Sequence, residues 1–175
     1  MDRIFETATQ FINIYQSRKP FELLDAIGAI TRISHNFSPD GLKGFACIQN
    51  GSMYAVINGH LDEHEQNIVA GHEAAHLILH KEEMLYAPGN FIEEGNLFAN
   101  TGRLEHQANQ FLADFLLDDK DTLDLISQME GDYFQTACAL CVPPALFTFK
   151  LHSMINRGFP LCKPTNLESG FLGTP

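Results

Sequence analysis

Apolar residues recur at helical intervals towards both ends of the chain, with shorter strand-like runs between them. Ile4, Phe5, Ala8, Phe11, Ile12 and Tyr15 fall on one stripe, which predicts an amphipathic helix over residues 3–18. Lys19-Pro20 ends it, and Pro20 suits the first position of a second short helix over 20–28, stopped near Gly28. Ala29 to His35 reads as a strand running into a loop, with Ser38-Pro39-Asp40-Gly41 as a turn. Gly44 to Gln49 and Ser52 to Asn58 read as two strands joined by Asn50-Gly51, a dipeptide suited to a tight hairpin. A long helix over 62–80 follows, with Asp62 placed to cap it and Glu63 and Glu65 in its first turn.

Residues 81–101 read as a loop whose length points to a functional or mobile segment. Helical spacing returns over 103–117 through Leu104, Ala108, Phe111, Leu112 and Phe115. Asp118, Asp119 and Asp121 form an acidic turn before short helices over 121–129 and 133–141. Pro143-Pro144 restarts a helix that runs to about Asn156, and Pro160, Pro164, Gly170, Gly173 and Pro175 predict an irregular tail. The expected fold class is α+β, mainly helical, with a small three-stranded sheet and a helical C-terminal lobe. The expected units are residues 1–118, a lobe over 119–158 and a Pro/Gly-rich tail over 159–175.

Composition changes this picture little. The 175 residues are 45% apolar and 19% charged, enough for one domain with a core. No apolar run is long enough to span a bilayer, and the start lacks a signal-peptide pattern, so a cytoplasmic protein is expected. The net charge of −11 argues against nucleic acid as a direct partner and fits either plain solubility or a basic protein partner. Cys138 and Cys141 form a CxxC without a second pair at metal spacing, so they read as buried helix-face residues.

The chemistry lies in Gly71-His72-Glu73-Ala74-Ala75-His76. Two imidazoles four apart on a helix share one face and can hold two tetrahedral positions of a Zn²⁺ ion. Glu73, next to the first, is placed as the general base towards an attacking water. Val69, Ala70, Ala74, Ala75, Leu77, Ile78 and Leu79 around them are uncharged, as a buried active-site helix requires. Leu79 and Glu82 stand where the pattern HExxHxxGxxH needs Gly and His, so the third ligand must come from elsewhere. His80 continues the row, but three ligands on one straight helix would span about 12 Å, too far for one ion. A carboxylate on the next helix fits: Glu105 lies near the face of Ala108 and Phe111, with His106 as its rival. Asn109 shares that face and offers a carbonyl to a ligating imidazole, whereas Gln107 points elsewhere. An oxyanion would need a Tyr or His, for which Tyr86, His106 and Tyr133 are candidates. Ser52 to Ile57 is the strand expected to pair with an extended substrate.

In order along the chain, Leu24-Asp25-Ala26-Ile27-Gly28, Leu42-Lys43-Gly44-Phe45, Val56-Ile57-Asn58, the segment Asn67 to His80 and the segment Glu105 to Leu117 resemble the ImmA/IrrE family of metallopeptidases. The resemblance covers roughly residues 20–158. It departs from the family pattern at Gln107, where a second Glu is common, and at Asp118, where a Pro is frequent. It implies a gluzincin-like fold with a lobe resembling a helix-turn-helix, and a zinc-dependent endopeptidase acting on a helix-turn-helix repressor or similar regulator. A zinc-binding regulatory module that controls a partner without cutting it is the alternative. The second helix of the lobe offers only Lys150 and Arg157 as cations, so packing or protein docking is expected of it rather than DNA reading.

Overall fold

A computed structural model describes residues 3–86, 102–162 and the backbone of 92–94. The chain runs α1 (Arg3–Tyr15), α2 (Pro20–Ala26), β1 (Ile30–Ser34), β2 (Gly44–Gln49), β3 (Ser52–Asn58), α3 (Glu63–Leu79), α4 (Lys81–Tyr86), β4 (Ile92–Glu94), α5 (Arg103–Leu116), α6 (Asp119–Gln128), α7 (Tyr133–Ala139) and α8 (Pro144–Asn156). The α+β class holds. Asn50 and Gly51 both take positive φ, 51° and 78°, the conformation a two-residue hairpin turn demands. Asp62 caps α3 by accepting the Glu65 N–H at 2.7 Å. Asp118 caps α6 by accepting from Lys120 and Asp121, so the acidic turn belongs to the helix start and α6 begins earlier than its apolar spacing suggests.

The sheet order is β1-β3-β2-β4. The three expected strands form its body: β1 runs parallel to β3, and β2 is antiparallel to it. A short fourth strand, inside the stretch read as a loop, adds to the outer edge of β2 opposite Gly44, Phe45 and Ala46. That stretch also holds α4, anchored by the buried Met84. Neither element has the length for a periodic signal. The topology overturns one expectation: β3 is paired with β2 over Ser52–Ile57 and with β1 over Tyr54–Asn58, so from Tyr54 on it has no free edge for a substrate strand.

Helix α3 is the centre of the molecule, buried over ten consecutive residues from Ile68 to Leu77. Its low polarity on every side is what such a position requires. β2 and β3 cover one side of it, α2 and α5 lie against it elsewhere, and α1 and α8 pack on α5. Gly71 permits the close approach of α5: a Cβ there would sit 2.5 Å from Leu112 Cδ1 and 3.3 Å from Pro20 Cγ.

Helices α7 and α8 turn through 102° across residues 140–143, within the range of helix-turn-helix pairs. Leu146 of α8 belongs to the main core, while Ala137, Phe147 and Leu151 form a smaller cluster of their own. Beneath the lobe, Lys150 is buried with its ammonium 3.1 Å from Asp114 of α5 and 2.7 Å from Asp119 of α6. Ser153 donates to Asp114, and Arg157 pairs with Asp119. Cys138 and Cys141 are exposed, contrary to the buried positions expected. Short α7 buries only Thr136 and Ala137, and Cys141 falls in the turn beyond its end. Of the tail, 159–162 carry no regular structure and 163–175 lie outside the described residues.

Candidate metal centre

One turn of α3 separates His72 from His76, and their rings converge with Nε2 atoms 2.9 Å apart. Glu105, in the first turn of α5 where the helix dipole favours a carboxylate, completes the group. Its Oε2 lies 3.1 Å from His72 Nε2 and its Oε1 3.4 Å from His76 Nε2. Among the described residues, this is the group of His, Cys, Asp and Glu side chains whose ligand atoms all lie within 4.8 Å of one another. In a tetrahedral site with bonds of about 2.0–2.1 Å, neighbouring ligand atoms stand about 3.3 Å apart. The observed spacings match to within a few tenths of an ångström, so the residues present fit a small tetrahedral cation. Both imidazoles are fully buried, and Glu105 retains 15% exposure, so the group meets solvent on the α5 side.

Each ring is held from behind. Asn109, one turn after Glu105, has Oδ1 3.0 Å from His72 Nδ1. His76 Nδ1 lies 2.9 Å from His80 Nδ1, and His80 Nε2 lies 3.2 Å from Gln107 Oε1. Gln107 therefore does not point away from the site but meets the last turn of α3. Burial drives the His76 pKa down to about 4, with the Glu105 hydrogen bond opposing it and the neighbouring histidines adding to it. Burial likewise lowers that of His80. Both rings are neutral at pH 7, the form that binds a metal.

Glu73 is fully buried beneath the start of β2. A Cβ at Gly44 would lie 3.2 Å from its Oε1, 2.5 Å from Val69 Cγ1 and 3.1 Å from the Val56 carbonyl oxygen, so only glycine leaves Glu73 this space. Asn58 fixes the approach to Gly44. Its side chain donates to the carbonyls of Ser38 and Leu42, and its N–H to that of Lys43. Nearby, burial and the charge of Glu73 push the Cys47 thiol up, which keeps it protonated at neutral pH.

The other sequence candidates do not join the group. The His106 ring packs on Phe149 of α8, with centroids 5.2 Å apart, and is no rival to Glu105. Tyr133 bonds to Thr148 and to the Pro144 carbonyl within the lobe. Tyr86 is 84% exposed at the end of α4. Sequence reasoning missed His80: the i, i+4 row through His72 and His76 did signal its position, but only as a ligand too distant to count.

A family model described as the IrrE N-terminal-like domain (Peptidase_M78) matches residues 33–152, from the end of β1 through β2, β3, α3 and α5 to most of α8. No curated protein and no solved structure matches the chain.

Proposed function

Because the chain belongs to the ImmA/IrrE family of metallopeptidases, we propose that it is a zinc-dependent endopeptidase of the cytoplasm, with His72, His76 and Glu105 as ligands and Glu73 as general base. The observation that carries the reading is the convergence of two imidazoles and one carboxylate, the donor set of catalytic zinc sites that keep a fourth position open. Zinc, when bound, supplies Lewis-acid polarisation of the scissile carbonyl and of the attacking water. Glu73 takes the proton from that water and passes it to the leaving amine. Burial of Glu73 under Gly44 excludes competing solvent and fixes its direction. Asn109 holds the His72 ring by accepting its Nδ1–H.

The substrate we propose is a regulatory protein, a repressor of the helix-turn-helix type. The lobe of α7 and α8 then serves packing or docking. Its cations Lys150 and Arg157 are committed to Asp114 and Asp119 and so are not presented to nucleic-acid phosphates. An extended substrate lying along the metal side of the sheet meets β4, or the part of β2 beyond Ala46, rather than β3.

Glu73→Gln tests hydrolysis directly. Zinc content and folding are expected to survive, while cleavage of a repressor encoded beside the protein falls by about 10²- to 10⁴-fold, the usual contribution of a positioned acid–base group. A mutant that inactivates the repressor as well as wild type does would replace the peptidase with a regulatory module that does not cut.

A further inference from the structure

Two polar side chains stand behind the converging ligands with no part in the reaction above. His80 is 1% exposed, and Gln107 reaches it from α5. We propose that His80 is a positioning residue for the metal site: its Nδ1 accepts the Nδ1–H of His76, and Gln107 fixes the tautomer in which it can do so. This rests on the reading of His72, His76 and Glu105 as ligands.

His76 turns Nε2 towards His72 and Glu105, so that nitrogen must offer its lone pair to a metal and the ring proton must sit on Nδ1. Nδ1 faces His80 Nδ1 at 2.9 Å. Two ring nitrogens hydrogen-bond only if one carries the proton, so His80 accepts there and keeps its own hydrogen on Nε2. That Nε2–H finds the Gln107 carbonyl oxygen at 3.2 Å. Every polar hydrogen in the row therefore has an acceptor, and the row points away from the metal. The reverse arrangement, with the Gln107 amide donating to His80, would put the His76 proton on Nε2 and remove the ligand. Burial makes the choice matter: with His76 at 0% and His80 at 1% exposure, water is a poor substitute acceptor, and an unpaired buried N–H is costly.

The two histidine ligands are thus held by different means. His72 uses an amide from α5 directly, and His76 uses an imidazole one turn further along α3, itself held from α5. Helix α5 supplies three polar groups within five residues: Glu105 to the metal side, Gln107 to His80 and Asn109 to His72.

The test uses the full chain, zinc competition against a chromophoric chelator, and nitrogen–proton correlation NMR of the histidine rings in the zinc-loaded protein. His80→Ala is expected to bind zinc about 10- to 100-fold more weakly, the range typical of outer partners of a ligand. Gln107→Leu should lose less, in the same direction. His80→Gln, whose amide both accepts and donates, should recover most of the affinity. Thermal melts of the metal-free forms separate loss of folding from loss of positioning. NMR should show wild-type His76 protonated at Nδ1 and His80 at Nε2. Should His80→Ala fail to fold, the wild-type tautomers and Gln107→Leu decide. Unchanged zinc affinity in the substituted proteins, or His80 protonated at Nδ1, overturns the proposal. If wild type itself binds no zinc, the ligand assignment fails instead, and the inference with it.

Discussion

His72, His76 and Glu105 do unequal work because only the carboxylate can bring a negative charge to a bound cation. Exchanging the carboxylate for an amide keeps the shape of Glu105 but removes the charge that partly balances the cation. Glu105→Gln is therefore expected to weaken zinc binding by more than the roughly 10- to 100-fold that outer partners carry. Gln107→Ala, two residues along the same helix, should stay within that range. Equal losses in a chelator competition would mean that the inner face of α5 has been misplaced. At this scale the sequence was legible where spacing alone fixes direction. The i, i+4 relation puts His72 and His76 on one face, and the distance of Glu105 from Ala108 and Phe111 puts it near the buried one. It was not legible where a side chain chooses among neighbours brought by tertiary packing. His106 turns to Phe149, Tyr133 to Thr148, and His80 to His76, and no local pattern encodes those partners.

At the scale of elements, the site exists because α3 and α5 touch closely enough for a carboxylate on one to reach imidazoles on the other. Gly71 sets that distance, immediately before His72. Gly71→Val would drive branched carbons into Leu112 and Pro20, at about 1–3 kcal/mol for overpacking. It should also weaken zinc binding, because Glu105 and Asn109 move with α5. Urea unfolding and zinc competition on the same preparation check both effects. Reduced stability with wild-type affinity would show that the site tolerates a shift of α5. The strands themselves were readable from Asn50-Gly51 and their apolar runs, but the sheet order was not. The β2–β3 hairpin is local, whereas the parallel β1–β3 ladder and the β4 edge join segments distant in sequence. A pattern of period two says which face a strand buries and nothing about which strand lies beside it.

Across the whole molecule, the C-terminal lobe is tied to the helix that carries Glu105 through a buried set of charges. Asp114 of α5, Asp119 of α6, and Lys150 and Arg157, at the middle and end of α8, meet beneath the lobe. Burial alone would raise Asp119, but the hydrogen bonds from Arg157 and Lys150, with their charges, outweigh it and hold its carboxyl at about 2. An unfolded aspartate titrates near 3.9. Because the folded value is the lower one, Asp119 stabilises the fold fully above about pH 4, and that contribution is lost as pH falls towards 2. Asp114 runs the other way: burial raises it despite Lys150 and Ser153, so its protonation on acidification offsets part of the loss. Asp119→Asn removes one anion from a buried lysine and is expected to cost about 1.5–3 kcal/mol at pH 7, the range for hydrogen bonds to charged groups. The difference in unfolding free energy between wild type and Asp119→Asn, followed by urea titration, should be constant from pH 7 to about 5 and then shrink between about pH 4 and 2. A difference that stayed level through that acid window would place the Asp119 carboxyl outside the ion pairs, and the polar tie between the lobe and α5 would then rest on Asp114 with Lys150 and Ser153.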